Sequence, residues 1–151
     1  MNIREQLLEY RPPRIAMLLT IIAVATHWLI PLAVLPAFPA AAALTGALGF
    51  AIMLRAWWLF KQHETAICPT AEASVLITGD IFALTRNPMY LGMILMLLGC
   101  ALLAGTVPFY SVFFAYFAVI NYVFCPYEEQ KLLAAFGEEY PDYRKRVRRW
   151  V

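Results

Sequence analysis

The chain has 151 residues, 62% of them apolar, and a mean hydropathy of +0.66. Ordinary soluble domains are about 45–50% apolar, so the composition excludes a typical water-soluble fold. Twelve Lys/Arg against ten Asp/Glu give a net charge of +2, and the three cysteines, Cys68, Cys100 and Cys125, show no C-x-x-C spacing; a disulfide framework is excluded, and neither a metal nor a nucleic acid is expected.

No charged residue falls within 15–54 or 87–127. A spanning helix needs about 20 apolar residues, so each stretch fits a hairpin of two helices. Residues 1–14 are short and charged, close with Arg11-Pro12-Pro13-Arg14, and suit the membrane surface. The first span is expected over about 15–35. It is too long for the apolar region of a signal peptide, and no small-residue cleavage site follows. Its His27 reads as a packed or interfacial residue.

Pro36-Ala37-Phe38-Pro39 makes the first turn, and the second span runs over about 40–60. Gly46 and Gly49 within it permit close approach of another backbone or a ligand. Arg55-Ala56-Trp57-Trp58 forms an interfacial anchor. The loop from Lys61 to Arg86 is too long for a simple connector and is expected to be an ordered lid.

The third and fourth spans, about 88–106 and 107–125, turn near Gly105-Thr106-Val107-Pro108. Every charge except Arg55, near the loop end of the second span, lies in the two end segments and the middle loop, so the positive-inside rule places both ends and that loop in the cytoplasm. The expected fold is an all-α, multi-pass membrane protein. It has four transmembrane helices in two hairpins, N-in and C-in, and one domain over 1–151.

A short helix then follows from Pro126 to Phe136, with acids in its first turn and Gly137 after its end. Glu129, Leu132, Leu133 and Phe136 share one face, so periodicity turns Glu129 to the apolar side and leaves Glu128 at its edge. The basic, aromatic tail over residues 140–151 suits attraction to anionic headgroups.

Thr85-Arg86-Asn87-Pro88-Met89-Tyr90-Leu91-Gly92 opens the third span. Asn87 is a favoured N-cap and Pro88 suits the first helical position. The same cap is an anion site, because free N–H groups, the positive helix end and Arg86 converge there. Tyr90, just inside, is placed to cover an aromatic or cationic ligand.

"RNPMYLG", then about forty residues, then "EEQKLLAAFGEEYPDYRKRV" resembles the isoprenylcysteine carboxyl methyltransferase and phospholipid methyltransferase superfamily of integral membrane enzymes. The matching positions are Arg86, Asn87, Pro88, Tyr90, Gly92, Glu128, Glu129, Leu132, Phe136, Gly137, Tyr140 and Tyr143. "LITGDIF" upstream is also similar to the family's pattern, and the resemblance spans roughly Thr65 to Arg149. It implies S-adenosylmethionine as cofactor, held in a pocket made by the cytoplasmic loop and the C-terminal helical segment.

The resemblance also implies cofactor contacts from Leu76, Ile77, Phe82, Asn87, Pro88, Met89, Tyr90 and Glu128, with Tyr140 packing nearby and the Gly46–Gly49 segment as a further wall. Arg86 and Glu129 are the candidate catalytic residues. Periodicity favours Glu129 as the contacting acid and the family pattern favours Glu128; both are carried.

The implied acceptor is a lipid or lipophilic small molecule, an isoprenoid-thiol carboxylate or a phospholipid amine, with no obligate protein partner. The implied location is a bacterial inner membrane, with the site facing the cytoplasm. Three departures bear on the acceptor. Asn87 stands where prenylcysteine enzymes usually carry His, Phe82 replaces a Tyr, and Phe124 occupies the place of a substrate-binding Arg. A carboxylate acceptor therefore lacks its obvious partner.

The competing readings are an NADPH-dependent membrane reductase on a related scaffold and a non-enzymatic small membrane protein. A small multidrug transporter needs an acid buried in the membrane, and no Asp or Glu falls in the four spans.

Overall fold

In a computed structural model, residues 7–8, 10–29, 36–65 and 74–151 are described. Among them there are helices and no strands. They are α1 (Pro12–Leu29), α2 (Pro39–Gln62), a 3-10 turn (Asp80–Ala83), α3 (Pro88–Ala104), α4 (Val107–Val119), a π turn (Ile120–Phe124), α5 (Cys125–Phe136) and α6 (Glu139–Arg146). The last part of the expected first span, residues 30–35, and the segment 66–73 of the middle loop lie outside the described residues.

Proline marks the helix starts. Pro12, Pro39 and Pro88 each stand first in a helix and Pro108 stands second, where a missing N–H costs nothing. Gly105 ends α3 in the left-handed region at φ 64°, its N–H bonded to Ala101 O, a conformation that glycine adopts without a Cβ penalty.

The polypeptide folds so that α1 packs on α4 and α2 on α3. Small residues make the second contact close. A Cβ built on Gly49 would lie 2.6 Å from Gly92 O, one on Gly92 2.6 Å from Gly49 O, and one on Gly99 2.9 Å from Ala42 O. A Cβ placed on Gly46 would meet nothing within 4 Å. Gly49 thus serves close helix contact with Gly92.

The main core gathers Ile15 and Ala23 of α1, Tyr90, Met93, Ile94 and Leu97 of α3, Val112 and Tyr116 of α4, Ile120 and Phe124 of the π turn, and Cys125 of α5. The outer faces stay apolar and open: Trp28, Leu29, Leu44, Phe114 and Tyr122 are all exposed. In water such a surface would be unusual, and in a bilayer it meets hydrocarbon. Three helices are long and apolar enough to cross a membrane, Pro12–Leu29, Pro39–Gln62 and the continuous run Val107–Phe136, while Pro88–Ala104 is a shorter apolar helix.

The continuous run differs from expectation. The sequence reading starts a separate helix at Pro126, but helix continues through it. Proline in a helix interior removes an N–H and clashes with the carbonyl four residues back. The π turn just before it widens the backbone, and the Cys125 N–H bonds to Ile120 O, five residues back. The chain accommodates Pro126 without breaking.

The two ends of the bundle differ in character. At one end the first turn and the α3–α4 turn meet: Phe38 N–H donates to Leu102 O at 2.9 Å, and His27 Nδ1 lies 3.2 Å from Thr106 Oγ1. His27 also packs edge-on against Phe109, as a packed residue should. At the other end the start of α1, the end of α2, the start of α3 and the start of α5 converge with the middle loop and the C-terminal segment.

Candidate functional site

The loop reaches this end through a series of polar ties. Thr65 Oγ1 accepts from the N–H groups of Ser74 and Val75, at 3.1 and 3.4 Å. Asp80, at φ 57°, accepts from its neighbour Ile81 N–H at 2.7 Å and from Arg55 at 2.6 and 3.2 Å. The Arg55 bond, then the Ile81 bond, hold the Asp80 carboxyl below its ordinary range. Phe82 is buried between Phe60 and the C-terminal segment. Its ring meets Phe60 edge-on and its carbonyl accepts the Tyr143 hydroxyl at 2.6 Å.

Residues 85–90 then enter α3. Pro88 and Asn87 take the first helical and N-cap positions, but Asn87 makes no capping bond. Its Nδ2 donates instead to Arg149 O at 3.5 Å, as does Thr85 Oγ1 at 2.8 Å. The Arg86 N–H donates to Arg148 O at 3.0 Å. The first turn of α3 therefore keeps its positive end free of any side-chain cap.

A pocket of about 100 Å³ opens beside it, lined by Pro12, Pro13, Phe60, Phe82, Arg86, Asn87, Pro88, Met89, Tyr90, Met93 and Glu128. Its walls are largely apolar, with a guanidinium, a helix N-terminus and a carboxylate among them. Glu128 accepts the Tyr90 hydroxyl at 2.5 Å. The Arg86 side chain is only 9% exposed, and its Nε is buried without a hydrogen-bond partner among the described residues. A buried guanidinium N–H without an acceptor is costly.

Glu129 lies elsewhere. One oxygen accepts from Arg86 Nη1 at 3.1 Å and from Arg149 Nε at 2.9 Å, and the other from Arg149 Nη2 at 3.0 Å. The hydrogen bond to Glu129 pushes the Arg149 pKa up. Arg86 Nη1 also donates to Tyr140 Oη at 3.1 Å. Burial first, then the Glu129 charge, raises the Tyr140 pKa.

Of the residues singled out in sequence, Phe82, Arg86, Asn87, Pro88, Met89, Tyr90 and Glu128 are brought together on the pocket. Glu129 and Tyr140 sit behind Arg86. Leu76, like Leu132 and Phe136, packs against the Tyr140, Tyr143 and Val147 cluster, and Ile77 joins Ala56, Leu59 and Phe82. Sequence reasoning missed Pro12 and Pro13 at the rim, and Asn121, Arg149 and Trp150 behind it. Asn121, the one polar amide in an apolar run, is the signal that could have drawn attention.

A family model described as phospholipid methyltransferase matches residues 38–139. No curated protein and no solved structure matches the chain.

Proposed function

We propose that this chain, which belongs to the phospholipid methyltransferase family, uses S-adenosylmethionine to methylate a lipophilic acceptor at the cytoplasmic face of a membrane. Members of this family transfer methyl groups to lipid-like substrates. The observation that carries the finer reading is the pocket itself. It sets Arg86 and an uncapped helix N-terminus near the Glu128 carboxylate, at the polar end of apolar helices. A ligand with a carboxylate, an ammonium and ribose hydroxyls meets complementary groups there.

Each residue then has a role. Arg86 and the first turn of α3 bind the carboxylate. Glu128, oriented by Tyr90, binds the ribose hydroxyls or the ammonium. Phe60, Phe82, Met89 and Met93 exclude water from the reacting centre. Leu76, Ile77 and Tyr140 back that wall, and Glu129 keeps Arg86 aimed. When bound, the cofactor supplies a methyl group activated by its sulfonium. The protein's contribution is to hold that methyl in line with an O, N or S nucleophile.

Four spans support a pocket at a membrane surface. Taken as a helix at 1.5 Å per residue, the 17-residue α3 is about 26 Å long, at the short end of spanning lengths. Arg11, Arg14, Arg55, Lys61, Arg86 and the basic residues 144–149 belong to the segments at the pocket end, which supports a cytoplasmic site, as in a bacterial inner membrane. Lining residues from Pro12 to Glu128 support a single domain. The acceptor, a phospholipid amine or an isoprenoid-thiol carboxylate, reaches the pocket sideways between helices.

Calorimetric titration of the purified protein with S-adenosylhomocysteine tests this. Micromolar or tighter binding is expected, weakened by Glu128→Ala and by Arg86→Ala. Absence of binding to the wild type, or equal binding to both variants, sinks the proposal.

A further inference from the structure

We infer that Arg149 is the positioning residue of this site. It clamps Glu129, Arg86 and the α3 N-terminus in register without touching the pocket. The inference begins in the π turn. There the Cys125 N–H reaches past Asn121 to bond Ile120 O. The next donor in the same five-residue pattern would come from residue 126, and Pro126 has no N–H. The Asn121 carbonyl is thus left to a donor from outside the helix, and Arg149 Nη1 supplies it at 3.1 Å, with Asn121 Oδ1 at 3.2 Å. The proline in the helix creates the acceptor that the guanidinium fills.

The rest of that guanidinium fork goes to Glu129, both of whose oxygens it meets. Such planar, two-pronged pairing fixes geometry as well as charge. Glu129, so fixed, holds Arg86 Nη1. The main chain completes the clamp. Arg149 O accepts from Thr85 and Asn87, and Arg148 O from the Arg86 N–H. Trp150 seals the outside, donating Nε1–H to Asn121 Oδ1 at 3.0 Å and packing on Phe117.

One residue therefore joins the helix that carries Glu128 to the cap that carries Arg86, Asn87 and Tyr90. Arg144, Lys145, Arg146 and Arg148 in the same run are exposed. Only Arg149 turns inward, with its side chain 25% exposed.

The functional readout rests on the methyltransferase reading above; the structural readout does not. Hydrogen–deuterium exchange and S-adenosylhomocysteine calorimetry are run on the full chain, as wild type, Arg149→Lys and Arg149→Ala. In Arg149→Ala, exchange is expected to rise at residues 85–91 and 127–132 and to stay unchanged across the α2–α3 contact at Gly49 and Gly92. Affinity should fall about tenfold, as it does when a binding group loses its orienting partner. Millimolar guanidinium should restore part of it, whereas equal ammonium should not. Arg149→Lys should fall in between, because an ammonium keeps the charge and loses the fork.

Unchanged exchange at residues 85–91, full recovery with Lys, or failure of guanidinium to restore affinity overturns the clamp. A rise spread over α2 and α3 also overturns it, in favour of a general fold role. A wild type that binds no S-adenosylhomocysteine, with the local exchange pattern as expected, overturns the cofactor reading and leaves the clamp standing.

Discussion

Gly49 and Gly46 lie three residues apart on one helix, and alanine at each should move stability in opposite directions. At Gly49 the new Cβ meets Gly92 O at 2.6 Å, Leu95 Cβ at 2.9 Å and Met96 N at 3.0 Å; Gly92→Ala is the mirror case against Gly49 O and Met53. These neighbours are backbone or branch-point atoms and cannot rotate away. Reaching ordinary contact at 3.4 Å requires α2 and α3 to part by about 0.8 Å along that line, and overpacking of this kind costs about 1–3 kcal/mol. Alanine returns at most about 1 kcal/mol through helix propensity. Gly46 has open space around its Cβ, so there alanine brings only the gain.

Taking about 2–4 °C per kcal/mol for a chain of this size, Gly49→Ala and Gly92→Ala should lower the Tm by several degrees, and Gly46→Ala should raise it by about 2–4 °C. Thermal unfolding in one detergent, followed by tryptophan fluorescence, reads all three. S-adenosylhomocysteine affinity is the second readout, since Tyr90 lies half a turn before Gly92 and should shift with it. If Gly92→Ala unfolds at or above the wild-type temperature, the backbones are not in contact and the packing argument fails.

Glu128→Gln keeps shape and removes charge at the pocket wall; it should weaken S-adenosylhomocysteine binding by roughly 10–100-fold, the loss of one charge-assisted bond, as calorimetry will show. Glu129→Gln leaves Arg86 and Arg149 facing each other without a counter-charge and should destabilise by about 3–5 kcal/mol. In a double-mutant cycle of denaturation midpoints, adding Arg149→Gln should cost less than the sum of the two changes. Tyr143→Phe removes the donor to Phe82 O and should cost about 1–2 kcal/mol by the same measurement. The folded Asp80 carboxyl titrates below its unfolded value, so its tie to Arg55 is present at neutral pH and is lost as pH falls through the depressed pKa. Protection of the amides at residues 76–84, taken relative to their intrinsic exchange rates, should therefore fall only below about pH 4 and stay flat between about pH 6 and 8.

The helices and the cap were legible because their signals are local. Proline positions and charge-free stretches put helix starts within a few residues of where they lie, and the Arg86–Tyr90 segment forms one wall of the pocket. Periodicity grouped Glu129 with Leu132, Leu133 and Phe136 on one face and left Glu128 at its edge; Glu129 does turn inward, but Leu133 is exposed and it is Glu128 that lines the pocket. What periodicity does not carry is the identity of the group across from that face, here a pair of guanidiniums. Arg149 was hidden for the same reason. Five of the six residues from Arg144 to Arg149 are basic, nothing local distinguishes the one that docks, and its partners lie at Thr85, Asn121 and Glu129. Pro126 misled because proline usually opens a helix, and only the π turn before it lets the helix pass through.

The clamp also fixes an order of events during synthesis. Chains emerge from the N-terminus at about 5–20 residues per second, so every apolar helix and both pocket walls exist before Arg149 has been made. Until then Glu129 has only Arg86, and the Asn121 carbonyl has no guanidinium. Assembly of the apolar helices and completion of the site are thus separate stages, with the second waiting on Arg149, which follows every helix and both pocket walls in the chain.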